Sequence, residues 1–152
     1  MSASTINIKN KKASFNYEFT EKLIAGVQLT GTEIKSIRQG KASLVDAYCI
    51  FKNNELWVKN MHISEYSHGN IYNHEPKRDR KLLVTSRELR KFEKKVQERG
   101  FAIVATRLFI NERGLAKLEI ALAKGKREYD KREDIKQKDS KRELDRLKKI
   151  NY

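Results

Sequence analysis

The chain is poor in cysteine and proline, with one of each among its 152 residues. Cys49 alone can form no intrachain disulfide and anchor no multi-cysteine metal site, which removes the usual supports of small secreted domains. The compartment expected from this is the cytoplasm. Long apolar runs are missing too: nothing spans a bilayer, and the opening MSASTINIKNKK contains no apolar core of a signal peptide. No glycine-rich phosphate loop, nucleophile elbow or Ser/His/Asp ordering occurs, so no catalytic apparatus is visible.

Positive charge, by contrast, is abundant. Lys and Arg number 34 against 20 acids, a formal net charge of +14. Such an excess favours a polyanionic partner through counterion release and steering. Nucleic acid is the first candidate; an anionic membrane would require a basic amphipathic helix with a bulky apolar face. A hydrophobic fraction of 38% suits one domain and is too little for two cores. The apolar residues are unevenly spread. Residues 124–152 hold 12 bases and 7 acids, net +5, with few large apolar side chains, whereas the rest carries 22 bases and 13 acids, net +9. Burial in the tail cannot repay the entropy of ordering, so residues 125–152 are expected to be disordered alone and to fold on a partner.

Along the chain, residues 1–14 are polar and basic without periodicity and are expected to form a flexible arm ahead of a body spanning 15–124. Tyr17–Leu29 alternates as a strand with one wet face does. Thr30 and Glu33 have capping-box spacing, Ile34 and Ile37 share a helical face, and Gly40 supplies the stop. Ala42–Lys52 and Leu56–Ile63 read as strands around a turn at Asn53-Asn54-Glu55, with Cys49, Phe51, Trp57, Val58 and Met61 as core. Residues 65–81 hold the sole proline, Pro76, and several bases, the composition of a long functional loop. Thr85 and Glu88 repeat the capping box, and Leu89, Phe92 and Val96 mark a helix ending at Gly100. Two further strands, Phe101–Ile110 and Leu115–Ala123, flank a hairpin loop at residues 111–114. About five strands and two helices fit a mainly β fold: a small closed antiparallel barrel of the oligonucleotide-binding (OB) kind, which leaves no exposed sheet edge.

Three constellations bear on chemistry. His62, His68 and His74 lie six apart, but two are in a polar loop and one in a strand, so nothing makes them converge on a metal. Glu33-Ile34-Lys35 matches half of a metal-dependent nuclease motif; the upstream Asp that would complete it is absent, and Glu33 reads better as a helix cap. What remains is a set of bases among aromatics: Lys35, Arg38 and Lys41 around the first helix, and Arg78, Arg80 and Lys81 at the loop's end. RNA binding asks for such phosphate contacts with stacking platforms nearby.

The segments LTGTEIKSIRQGKASLVDAY (29–48), HISEYSHGNIYNHEPKRDRKLL (62–83) and ALAKGKREYDKREDIKQKDSKRELDR (121–146) resemble the signature segments of the small protein B family, in order and spacing. The resemblance implies an OB-type barrel with peripheral helices. It also implies a function, binding the tRNA-like end of transfer-messenger RNA (tmRNA) and delivering it, charged with alanine, to stalled ribosomes in trans-translation. The implied partners are tmRNA, the small-subunit decoding centre and message channel of the ribosome, and elongation factor Tu, with the protein a monomer and without a cofactor. By position, the family's RNA-binding residues are Glu33, Lys35, Ser36, Arg38, Gly40, Lys41, Gly69, Asn70, Pro76, Arg78, Arg80, Lys81, Leu83 and Lys117. In the tail, Gly125 corresponds to a hinge, while Tyr129, Asp130, Lys131, Arg132, Lys138 and Arg142 correspond to the part that enters the decoding centre and becomes helical. Some members carry His where Tyr129 stands, and Glu and Asn where Ile24 and Thr85 stand. The alternative from charge and barrel pattern alone is a generic RNA-binding or ribosomal protein, with a metal-dependent nuclease behind it.

Overall fold

The structure is a computed structural model and describes residues 6–68 and 73–125. In chain order the elements are β1 (Asn7–Lys9), α1 (Lys11–Asn16), β2 (Tyr17–Val27), α2 (Gly31–Arg38), β3 (Ala42–Ser43), β4 (Tyr48–Lys52), β5 (Glu55–Lys59), β6 (His62–Ile63), β7 (Arg80–Leu83), α3 (Ser86–Arg99), β8 (Ala102–Ile110) and β9 (Ala116–Gly125). Neighbouring strands run β8–β4–β5–β7–β2–β9, and β9 pairs back onto β8, so the antiparallel sheet closes into a barrel of the expected OB kind. The start of β8 pairs with β4 and its end with β1 along the same edge. A separate two-stranded ribbon, β3 with β6, lies beside the barrel.

Period-two alternation fills the interior. In β9, Leu118, Ile120 and Leu122 are buried, while Lys117 and Glu119 face outward. In β5 the same rule turns Leu56 and Val58 inward and leaves Trp57 half-buried on the outer face, opposite Lys81 of β7. Trp57 is therefore not the core residue its size suggested; Leu56 holds that place. Cys49, Val58 and Met61 are buried as expected.

Three sequence expectations need correction. The N-terminal segment is ordered from residue 6: β1 docks on β8, Ile6 and Ile8 pack against the core, and Asn10 is buried. The Asn10 side chain donates to Leu44 O (2.9 Å) and Ala105 O (2.8 Å) and accepts from Ala13 N–H (3.1 Å), capping α1. These long-range bonds hold a segment too polar to be recognised by periodicity. The two strands expected over 42–52 and 56–63 are each broken, because Asp46 (φ 63°) and Asn60 (φ 61°) adopt left-handed backbone that no strand continues through. The hairpin loop is shorter than expected: Asn53 (φ 53°) and Asn54 (φ 60°) form a two-residue turn and Glu55 already belongs to β5.

The two helix starts stand as read. Thr85 N–H donates to Glu88 Oε1 (2.9 Å) and Thr85 Oγ1 accepts from Glu88 N–H (3.2 Å) at the head of α3, which Gly100 closes at φ 68°. At the end of α2, Gly40 N–H bonds Ile37 O (2.8 Å) and Lys41 N–H bonds Ser36 O (3.0 Å), a paired closure that needs the φ of 73° glycine adopts freely. Among the described residues no helix is long and apolar enough to cross a membrane.

Candidate nucleic-acid interface

At the barrel's flank, α2 is tied to the loop that precedes β7. Glu33 reaches inward from the first turn of α2 and is fully buried, as is Arg80. One carboxylate oxygen of Glu33 accepts from Thr30 N–H (2.8 Å) and Arg78 Nη2 (2.7 Å); the other is bonded by Arg80 Nε. Arg80 also donates to the carbonyls of Met61 (2.6 Å) and Pro76 (3.1 Å). Burial alone pushes the Glu33 carboxyl up. The bonds from Arg78 and Thr30 and the charge of Arg80 more than reverse this, holding it below the usual carboxylate range.

His74 adds a second tie. Its Nε2 lies 2.8 Å from Ile63 O, which can only accept, so Nε2 donates there, and Nδ1 is hydrogen-bonded to the Thr32 hydroxyl at 2.9 Å. Asn73 braces the same loop, its side chain donating to Tyr66 O (2.8 Å) and accepting from Tyr66 N–H (3.1 Å). The effect is to clamp a polar loop against a helix start, so that the bases on both sit in fixed relation.

Those bases face solvent. Lys35, Arg38 and Lys41 are exposed on and just after α2, and Arg78 is half-exposed. Lys35 Nζ stands 5.6 Å from the Tyr66 ring centre, and Tyr66 meets His68 edge-on at 5.4 Å, which places rings beside a base as stacking on RNA requires. Arg38 extends toward the β8–β9 hairpin, a guanidinium nitrogen lying 3.9 Å from where a Cβ on Gly114 would stand. Beyond that hairpin, Lys117, Gly26 and Leu83 lie in one cross-strand row over β9, β2 and β7. A Cβ on Gly26 would lie 3.3 Å from Leu83 Cβ, so the glycine makes room for Leu83, which is 51% exposed.

The structure thus divides the sequence-derived site. Lys35, Arg38, Gly40, Lys41, Pro76, Arg78, Leu83 and Lys117 reach the surface at least in part, and Lys81 does so while paired with Glu55 at 2.6 Å. Glu33, Ser36 and Arg80 are buried, so a direct contact with RNA is not open to them here. Alternation predicts this for Arg80, two residues before the buried Leu82 of the same strand. Gly69 and Asn70, and in the tail Tyr129, Asp130, Lys131, Arg132, Lys138 and Arg142, lie outside the described residues; Gly125 ends β9. Sequence reasoning missed Thr32, His74 and Tyr66. Their only signal was a lone histidine and tyrosine in a polar loop, which could not name their partners.

The family model described as SmpB protein matches residues 7–150. The chain belongs to the SmpB family. An SsrA-binding protein of Phocaeicola vulgatus is 63% identical over 147 residues, covering 97% of this chain and 98% of its own. One from Desulfitobacterium hafniense is 49% identical, over 90% of this chain and 87% of its own. Among solved structures, a chain from one described as "tmRNA-SmpB: a journey to the center of the bacterial ribosome" is 38% identical, with a TM-score of 0.70 over 86% of this chain and 95% of that one. The SmpB match therefore runs through α2, the clamped loop and β9 and on into the tail.

Proposed function

We propose that this chain binds the tRNA-like domain of tmRNA and brings alanyl-tmRNA, with elongation factor Tu, to stalled ribosomes in the cytoplasm for rescue and peptide tagging. It acts as a non-catalytic monomeric adaptor. The observation that carries the reading is an SmpB match over residues 7–150 in a chain whose α2 is tied through Glu33 to Arg78 and Arg80 of the loop, with Arg38 reaching beside Gly114 of the hairpin. Lys35, Arg38, Lys41, Arg78 and Lys117 offer charge to phosphates, and Leu83 and Tyr66 offer apolar or aromatic surface to bases. Glu33 and Arg80 act from beneath, by holding α2 and the loop together, and Ser36 is buried in the same helix. The tail beyond Gly125 enters the empty message channel, with Tyr129 stacking at the decoding centre.

A filter-binding comparison tests the recognition step: the tRNA-like fragment is expected to outcompete an unstructured oligonucleotide of equal length, and equal affinity would favour a generic RNA-binding barrel. Deleting residues 130–152 is expected to leave binding to that fragment largely intact while abolishing tagging. Loss of RNA binding on truncation would contradict the division between body and tail.

A further inference from the structure

The outer face of β2, β9, β8 and β1 is crossed by two rows that strand register sets. The first runs Leu83, Gly26, Lys117, Phe109 and Asn7. The second runs Ile24, Glu119, Arg107 and Lys9. Alternation turns both outward, since Leu108, between Arg107 and Phe109, and Leu118, between Lys117 and Glu119, are fully buried. Lys9 and Asn7 join this face only because β1 docks on β8.

At its centre an aromatic ring is seated on a cation. The Arg107 guanidinium carbon lies 4.2 Å from the centre of the half-buried Phe109 ring, well inside the roughly 6 Å reach of such a contact. Arg107 is held there by its own ion pair: Glu119 lies 3.3 Å away, and the Thr106 hydroxyl donates to both the carbonyl (3.0 Å) and the carboxylate (3.2 Å) of Glu119. The one acid of the face is therefore occupied within it. Lys117 stands directly across from Phe109 on β9, and Lys9 stands diagonally on β1. Among the described residues neither lysine has an ion-pair partner. Two of the large apolar side chains that the body leaves exposed, Ile24 and Leu83, lie on the same face.

We infer that Phe109, seated on Arg107, is a stacking platform for an unpaired base of the RNA, and that Lys9 and Lys117 take the phosphates beside it. The occupant is a looped or single-stranded segment, because a base inside a duplex has both faces stacked already and offers none to a ring. The platform extends the row of Lys117 and Leu83 across β8 to β1, beyond every residue named for RNA above. It rests on the function proposed above only in taking RNA as the occupant.

The full-length protein is titrated with the tRNA-like fragment and, separately, with an unstructured oligonucleotide of equal length. Phe109→Leu keeps apolar bulk and removes the ring; it is expected to weaken binding of the fragment at least about fivefold, the least that one stacked base contributes, with the salt slope unchanged. Phe109→Tyr keeps the ring and is expected to bind as the parent does. Lys9→Ala is expected to lower the salt slope by about 0.7–0.9, one phosphate contact. A second readout needs no variant to fold: irradiating the parent with a fragment carrying 4-thiouridine at its unpaired positions is expected to place a crosslink within residues 107–109. Affinity of Phe109→Leu within twofold of the parent's on both RNAs, or crosslinks confined to other residues, overturns the inference and leaves the face to a protein partner. Equal affinity of the parent for the two RNAs would sink the proposed function alone, since ring-dependent binding to both still upholds the platform.

Discussion

Replacing Glu33 by Gln removes one charge and little volume, and it reaches the stability of the whole body. Arg80 is 0% exposed and its Nε bonds the Glu33 carboxylate, so Glu33→Gln leaves a buried guanidinium without a counter-charge. Breaking a buried pair from one side costs about 3–5 kcal/mol, a large part of the roughly 5–15 kcal/mol that holds a domain together. For a body of this size each kcal/mol lowers Tm by about 4 °C, so a fall of about 12–20 °C is expected. Urea unfolding followed by circular dichroism gives the free energy directly, at an m-value close to the parent's. Arg80→Met is destabilising for the reciprocal reason, yet the double variant Glu33→Gln/Arg80→Met should lie about 1–3 kcal/mol above the sum of the singles, because the second change removes the stranded charge. The RNA readout separates positioning from contact: Lys35→Ala is expected to reduce the salt slope of binding by about 0.7–0.9, one phosphate contact, while folded Glu33→Gln weakens affinity with the slope unchanged. A loss below about 1 kcal/mol for Glu33→Gln, or strict additivity of the pair, would falsify the claim that this buried pair holds α2 to the loop.

The same carboxylate sets an acid limit. Its folded pKa lies below the unfolded value, so its stabilisation is complete above about pH 4.3 and is lost as pH falls through the lowered folded value. Urea midpoints measured from pH 7 to pH 3 should hold until about pH 4 and then decline, less so in Glu33→Gln; a flat profile in the parent would count against it. Asn10→Ala removes the side-chain donor to Ala105 O, one of the two donors to Leu44 O, and the cap of α1, for an expected loss of about 2–4 kcal/mol by thermal melting. A melting temperature within a degree of the parent would return the N-terminal segment to the status of a loose arm. Cys49 should react with a thiol reagent at pH 8 only as fast as the barrel opens, since burial raises its thiol; prompt stoichiometric labelling in native buffer contradicts its place in the core.

How much was legible from residues alone depends on the range of the interaction concerned. Thr85 and Glu88 are three residues apart, as are Thr30 and Glu33, and their bonds close within one helical turn, so spacing alone locates both helix starts. Gly40 and Gly100 mark the ends because their left-handed backbone is a local requirement. Leu118, Ile120 and Leu122 reveal β9 by alternation, and the charge excess points to a polyanion before any contact is known. The matched segments carried the rest of the functional reading, since family resemblance preserves what physics at short range does not reveal.

Tertiary structure alone decided the matters that join distant parts of the chain. Asn10 binds carbonyls 34 and 95 residues away, so nothing near it announces that β1 and α1 are ordered. His74 meets Thr32 across 42 residues, and Glu33 meets Arg78 and Arg80 across 45 and 47. Only closure of the barrel brings β7 alongside β2 and β5 and sets the inward Arg80 against Glu33. The sequence by itself determined a basic body suited to a polyanion, with a charged tail, because composition, caps and alternation are written locally. Which of those bases face solvent and which serve as its buried framework was decided by packing, because burial belongs to the folded neighbourhood and not to the residue.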